Sequence, residues 1–312
     1  MSKYKINVNK KKITQLKNNL LTYTMFIPGF IILFIFCYLP IVGLLIMFKN
    51  YSPNYGIVGS EFVWFKNFIS LFEHPYFWMM TLNTVGISFF KFITGFPASI
   101  LFAILLNEMR TKGLKKGVQT VSYLPNFISW VTIGGMLFSI LSLDDGFLNR
   151  IIVFFGGQKV YWYGEAKYWW AILTITSLWK GMGWGSIVYL AALANINNDL
   201  YESASLDGAS RFQKMWHISV PGMMPIISIN LVFGLGGLIK DDFEQILALV
   251  GTNQILSRTT TVYSSWIYNQ TMGSSSMYGA ASALGFFQSV ISLLLMVLAN
   301  RWVKKKDYIG LW

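Results

Sequence analysis

Charge is scarce in this chain. Only 12% of its 312 residues are Asp, Glu, Lys or Arg, against about 25% in an ordinary soluble domain. Apolar residues take their place. They make up 54% of the chain and come in long uncharged runs, more than one soluble core can hide. This argues against a soluble enzyme and a disordered chain. Cysteine is scarcer still. The lone Cys37 lies inside an apolar run, which argues against a disulfide scaffold. Acidic side chains are missing from every apolar run, since all 13 fall in the connections. Carriers driven by protons or sodium usually keep a carboxylate inside the membrane to bind the coupling ion. Its absence weighs against that class, although backbone sites can serve sodium. No G-x-x-x-x-G-K-[ST] phosphate loop is present, so the chain cannot hydrolyse ATP by that route. His74 and His217 stand alone, with no Cys or carboxylate at ligand spacing. Neither a metal site nor a catalytic residue is expected.

What is present is six apolar runs, 25–48, 80–106, 119–141, 169–193, 222–239 and 279–301. About 20 residues cross the hydrocarbon, so the expected fold is an all-α integral membrane protein with six transmembrane helices. The fifth run is short and open to a re-entrant reading. The expected organisation is a basic tail over 1–24, a six-span domain over 25–301 and a short tail over 302–312. The net charge is +12, and its distribution explains it. Sixteen of the 25 basic residues lie on the side that holds both termini, seven lie on the other side, and Lys91 and Lys180 lie inside runs. Basic connections stay cytoplasmic, so both termini are expected inside the cell membrane. The charge is then topological and implies no nucleic-acid partner. The first run is too long for a signal peptide and lacks a small-residue cleavage site. The Lys-rich tail before it can touch anionic lipid, but a topogenic signal is the simpler reading.

Three outer connections follow from this topology. Residues 49–79 are rich in aromatic side chains and fit an interfacial cap of short helices. Residues 142–168 open on an Asp144-Asp145-Gly146 turn, followed by a short amphipathic stretch from Phe147 to Phe155. Residues 240–278 are polar, with Asp241, Asp242 and Glu244 near their start. Those three acids suit outward contacts to a partner or to neighbouring loops.

The connection 194–221 is the most informative. Asp199 and Glu202 have capping-box spacing, which predicts a helix starting there. Gly208 occupies a C-cap position, where a left-handed backbone favours glycine. Ser210 and Gln213 form a second capping box, and the helix after it is expected to stop before Pro221. Two short helices bent at Gly208 suit a cleft in a partner protein, whereas local features alone favour a plain connector.

The spacing Glu202-x-Ala204-x-x-x-Gly208, then Ile218-x-x-Pro221, resembles the EAA loop of binding-protein-dependent ABC importer permeases. Ser203 stands where that pattern has its first alanine, and Val220 where it has leucine. The stretches 95–108, 119–130 and 179–184, with the C-terminal Gly310-Leu311-Trp312, are similar to the LplB-like branch of the sugar and oligosaccharide permeases. The resemblance covers about 80–312. It implies a type I importer permease fold whose cytoplasmic coupling helix docks on an ATPase. Tyr201, Glu202, Ser203, Ala204, Asp207, Gly208, Ala209, Ile218 and Pro221 would make that contact. It also implies a second homologous permease subunit, two ATP-binding subunits that carry the ATP and Mg, and a lipid-anchored extracellular solute-binding protein. The cargo would be a carbohydrate, in particular complex oligosaccharides, and the chain itself would carry no cofactor.

Residues for a substrate path are read from chemistry. A lysine inside a span costs roughly 2.5–3.5 kcal/mol. Lys91 and Lys180 therefore either meet substrate or tie helices together at breaks, which the glycines and proline of 95–97 and 181–185 suggest. Trp179, Trp184 and Tyr189 offer faces for sugar rings, and Asn83 and Asn230 offer amides for hydroxyls. An ATP-independent secondary sugar carrier is the alternative.

Overall fold

The computed structural model of the chain describes residues 19–273, 277–306 and 310–311. The Lys-rich tail before residue 19 and the terminal Trp312 lie outside them. The chain divides into two compact units. One runs to Ile69 and includes Tyr278–Ala283; the other comprises Ser70–Met277 and the chain from Leu284.

The first unit opens with helix α1, Leu20–Leu33, which continues through a π turn at Phe34–Tyr38 and a 3-10 run at Leu39–Phe48. Rings at Phe30, Phe34 and Tyr38 stack one turn apart, with centroids 6.4 and 6.1 Å apart. Its apolar side chains are exposed along the helix, as expected of a surface that meets lipid or another helix. The aromatic segment after it is a two-stranded antiparallel ladder, β1 Lys49–Asn50 with β2 Glu61–Phe62, enclosing the short α2 Gly56–Gly59. Helix α3, Lys66–Phe72, follows.

The second unit is built on α4, Phe77–Glu108, and its neighbours α5, Lys112–Tyr123, α6, Trp130–Leu141, α7, Phe147–Phe154, and α8, Trp169–Ala194. Next come α9, Asn198–Leu206, the short α10, Arg211–Lys214, and α11, Val220–Gly236. The connection after α11 holds α12, Phe243–Leu249, α13, Ser257–Thr260, and α14, Tyr263–Met272. Helix α15, Tyr278–Lys305, closes the chain. One core joins Ile87 of α4, Trp130 and Ile133 of α6, Trp169 and Leu173 of α8 and Ile246 of α12. A second core joins Ala103 and Ile104 of α4, Tyr189 and Leu193 of α8 and Met223 of α11.

The six uninterrupted runs of the sequence are not six straight apolar helices. Among the described residues, Tyr23–Phe48, Phe77–Glu108, Arg211–Ile239 and Tyr278–Lys305 are long and apolar enough to cross a membrane. A fifth crossing is reached if Lys112–Phe127 and Trp130–Leu141, bent by 101° at their junction, count as one span. The predicted fourth span is α8, whose 26 residues rise about 39 Å. Its tryptophans, glycines and Lys180 lower its apolarity below that of the others. The third run bends because Pro125 starts a 3-10 turn at Leu124–Phe127 and Ser129 then caps α6, its hydroxyl accepting from the Thr132 amide at 3.2 Å.

The glycine and proline clusters behave differently from the expected breaks. Helix α4 runs unbroken through Gly95 and Pro97, and α8 runs unbroken through Gly181, Gly183 and Gly185. Proline is tolerated within spans where the surroundings satisfy the freed backbone. The glycines of α8 serve close approach instead. A Cβ on Gly183 would lie 2.1 Å from the Ser122 carbonyl oxygen of α5, and one on Gly185 would lie 2.7 Å from Ser99 Oγ of α4. The fifth run is also longer than expected. α10 passes through a π turn at Met215–Ser219 straight into α11. Pro221 sits in the first turn of α11, where its missing N–H is absorbed at the π turn rather than ending the helix.

The contrast between two glycines gives a test. Gly183→Ala forces α5 and α8 apart and should lower the unfolding temperature in detergent, at a cost of about 1–3 kcal/mol. Gly181→Ala, with nothing within 4 Å of its Cβ position, should leave it unchanged or slightly raised. Equal unfolding temperatures for the two variants would contradict this packing.

Candidate functional site

The connection 194–221 forms a bent knob, with its helix ends set by side chains. Helix α9 starts two residues earlier than the Asp199 spacing predicts. Its N-cap is Asn197, whose Oδ1 accepts from the Asp199 amide at 3.0 Å, and Asp199 sits in the first turn, where its charge favours the helix dipole. At the other end the Gly208 amide donates to the Ser205 carbonyl and the Ala209 amide to the Ala204 carbonyl, at 3.2 and 2.9 Å. That pair of bonds is the Schellman arrangement, and it puts Gly208 at φ +77°. The Ser210–Gln213 capping box forms with both bonds present, at 3.3 and 2.7 Å.

Two side-chain bonds fasten the knob to the helix that follows. The Tyr201 and Ser219 hydroxyls share a hydrogen bond at 2.9 Å, and Lys214 Nζ donates to Ser205 Oγ at 2.5 Å. Glu202, Ser203, Asp207, Gly208 and Pro221 are exposed, while Tyr201, Ala204, Ala209 and Ile218 are half-buried. Beside α9 lies an open cleft of about 470 Å³ lined by Asn107, Glu108, Leu193, Ala194, Asn198, Tyr201 and Glu202. The knob also carries large apolar side chains in the open. Leu206 is 89% exposed, Phe212 71% and Trp216 62%, more apolar surface than an isolated connector requires. Sequence reading passed over these three, although their pattern in a polar loop was visible.

Both lysines of the apolar runs are held by protein acceptors. Lys180 Nζ donates to the carbonyls of Pro125, Asn126 and Ile128 at 3.2, 2.9 and 2.5 Å. It also stands 5.4 Å from the centre of the Trp130 ring. One ammonium thus satisfies the carbonyls freed where α5 turns into α6. Lys91 Nζ donates to the Gln245 side-chain carbonyl, and the Gln245 amide donates to the Leu173 carbonyl and Thr176 Oγ1 at 2.8 and 2.9 Å. Asp242 and Asp241 lie within electrostatic reach of Lys91.

Those two acids point inward rather than to an outer partner. Asp242 caps α12, its Oδ1 accepting from the Gln245 amide at 3.2 Å, and Asp241 Oδ2 accepts from the Ser264 amide at 3.1 Å. Asp241 lies beyond the spans. Burial pushes its carboxyl above the usual range, against the pull of the Ser264 amide and Lys91. Gln245, Thr176 and Ser264 were not singled out from sequence. Asp242 and Gln245 have capping-box spacing, which could have marked the helix start but not the inward amide.

The remaining path candidates are dispersed. Trp184 is half-exposed and meets Phe127 edge-on at 5.4 Å, beside the turn that Lys180 holds. Trp179, one residue before Lys180, lines an apolar groove of about 260 Å³ with Ile133, Met136, Leu137, Ile140, Ile175 and Thr176. Asn83 is buried and donates to the carbonyls of Arg258 and Thr261 at 3.1 and 3.0 Å. Tyr189 is buried in the second core, and Asn230 bonds the Ile226 carbonyl of its own helix at 3.0 Å. The structure therefore gathers Trp179, Lys180 and Trp184 at the elbow, and Asn83 and Lys91 against the 240–262 connection. Tyr189 and Asn230 join neither group. Among the described residues no group of three or more His, Cys, Asp or Glu could hold a metal ion.

Lys180→Met should leave carbonyls at the elbow without a donor, at about 1–3 kcal/mol for each one that stays dry. The expected result is a clearly lower unfolding temperature in detergent, partly restored by Lys180→Arg. Wild-type stability in Lys180→Met would remove the elbow's dependence on this side chain.

Known proteins resemble the chain over nearly its whole length. The profile of the family described as "Binding-protein-dependent transport system inner membrane component" matches residues 95–307. The polygalacturonan/rhamnogalacturonan transport system permease protein YteP of Bacillus subtilis (strain 168) is 34% identical over 310 residues, covering 99% of this chain and 95% of that protein. Protein LplB of the same organism is 35% identical over 299 residues, covering 95% and 92%. A chain in the crystal structure of a bacterial alginate ABC transporter, in complex with an alginate pentasaccharide-bound periplasmic protein, superimposes with a TM-score of 0.86 at 34% identity, covering 96% of this chain and 99% of that one. The ATP-independent carrier finds no support in these similarities. The chain belongs to the binding-protein-dependent transport system inner membrane components, the non-catalytic permease subunits of ABC importers.

Proposed function

We propose that this chain forms half of the translocation path of an ATP-driven importer for oligosaccharides cut from complex polysaccharides. Its partners are a second homologous permease, two ATPase subunits that bind ATP and Mg, and a lipid-anchored extracellular solute-binding protein. Both termini and the 194–221 knob face the cytoplasm, and the 240–277 connection faces out. The named relatives that handle polygalacturonan, rhamnogalacturonan and alginate support the substrate class.

The observation that carries the coupling role is the continuity of the knob with the fifth span. Helix α9 stops at Gly208, and the capping box restarts the chain as α10, which runs through the π turn into α11. Tyr201 and Lys214 brace α9 against that helix. When ATP binding draws the ATPase pair together, a docked knob moves as one body. The displacement then passes along a single helix into the bundle. The exposed Glu202, Ser203, Asp207 and Gly208, with Leu206 and Phe212 beside them, form the docking face. Tyr201, Ala204, Ala209, Ile218 and Pro221 form its base. The same motion opens the bundle outward, and the loaded binding protein releases its saccharide into it. The path runs by the elbow of Trp179, Lys180 and Trp184. There half-exposed indoles offer flat faces to sugar rings, while Lys180 holds the wall in shape.

Gly208 tests the coupling. Nothing lies within 4 Å of its Cβ position, so its constraint is the backbone alone. A β-branched residue at φ +77° strains the turn by roughly 1–2 kcal/mol. In proteoliposomes holding the assembled importer, Gly208→Val should lower ATP-driven saccharide uptake by about five- to thirty-fold while hydrolysis continues. Gly208→Asn, which tolerates this conformation, should keep most of the uptake. Wild-type uptake by Gly208→Val would overturn the coupling role.

A further inference from the structure

Within the 240–277 connection a pocket of about 290 Å³ opens between α12, the turn before α13, and α14. Its volume is at the low end of the roughly 300–1,000 Å³ typical of small-ligand sites, so it suits one ring rather than a chain. The rings of Phe243 and Tyr268 stand together at its side, centroids 5.1 Å apart and tilted by 44°. The rest of the wall mixes Ile246, Leu247 and Val250 with hydroxyls and amides, and no charged side chain lines it. Among the described residues the Thr252 hydroxyl and the amides of Gln254 and Asn269 make no hydrogen bond, and all three residues are exposed. Flat aromatic faces beside unused neutral donors and acceptors are what a polyhydroxylated ring needs. A carboxylated ring would find no cation here. Helix α12 forms one wall and is anchored from its other face, where Gln245 bonds Leu173, Thr176 and Lys91.

We propose that this pocket is a subsite for a single neutral pyranose unit of the arriving saccharide, lying outside the intramembrane path. Phe243 and Tyr268 pack against the ring, and Thr252, Gln254 and Asn269 bond its hydroxyls. It rests on the reading of the chain as a saccharide importer subunit. The importer would then read a neutral ring at its outer surface, before the cargo enters the bundle.

The test uses the full-length chain in lipid nanodiscs and saturation-transfer NMR. The neutral probes are the methyl glycosides of glucose, galactose, xylose and rhamnose; the charged probe is the methyl glycoside of galacturonic acid. At least one neutral probe should receive transfer, and its affinity should fall about ten-fold in Tyr268→Ala. Thr252→Val and Asn269→Leu change exposed residues without disturbing the core and should each weaken the same signal. No transfer to any neutral probe, or transfer unaffected by all three variants, overturns the subsite. Preference for the charged probe overturns its chemistry. Weakened docking of the loaded binding protein with unchanged probe transfer makes the pocket a protein contact and overturns it too. Uptake by the wild-type importer is measured in parallel. Pocket binding without ATP-driven uptake of any saccharide defeats the importer reading alone, whereas uptake with no pocket binding defeats the subsite alone.

Discussion

An apolar environment leaves no water to satisfy a freed carbonyl, and the bundle meets that constraint at its sharpest bend with one side chain. Lys180 turns its ammonium onto the carbonyls of Pro125, Asn126 and Ile128. The 101° junction between α5 and α6 thus keeps its backbone bonded where helix geometry cannot. The lysine in turn escapes the cost of a lone charge in an apolar setting. Gly183, three residues on, lets α5 come within contact of α8 at Ser122. Bend, donor and close approach form one unit, and the half-exposed Trp179 and Trp184 are carried on its wall.

The Lys91 network applies the same constraint to a connection. The absence of acids from the apolar runs holds, yet Asp241 and Asp242 lie just past the fifth span and act electrostatically on a lysine inside the second. Asp242 caps α12, Asp241 bonds the Ser264 amide, and both balance the charge of Lys91. Gln245 relays between Lys91 and α8, which ties the 240–262 connection into the bundle. Asn83 adds a second tie through the Arg258 and Thr261 carbonyls. This connection is therefore a packed layer with one polar face turned inward, and its pocket lies on the other side of α12.

At the opposite end of the fifth span, rigidity is obtained by continuity. A connector that frayed at Pro221 would absorb motion. The π turn at Met215–Ser219 instead carries the helix past the proline, and the Tyr201–Ser219 bond pins the knob to that turn. Gly208 supplies the reversal between α9 and α10, closed by two backbone bonds. The knob and the helix that follows it are thereby joined as one braced body.

The membrane class, the Gly208 turn and the Ser210–Gln213 capping box were legible in the amino-acid sequence. Each rests on apolar run length or bonds spanning a few residues. Tertiary structure decided what the proline and glycine clusters do. Gly183 and Gly185 read as a break until α5 and α4 are placed against them. Pro221 reads as a stop until the π turn absorbs its missing donor. It also decided the partners of the two lysines, because Lys180 bonds carbonyls as far as 55 positions away and Lys91 bonds a side chain 154 positions away. Local propensity carries no information over such separations. A buried ammonium must find acceptors, which the sequence alone requires, but only the packing of α4 on α12, and of α8 on the α5–α6 junction, determines which acceptors come within reach.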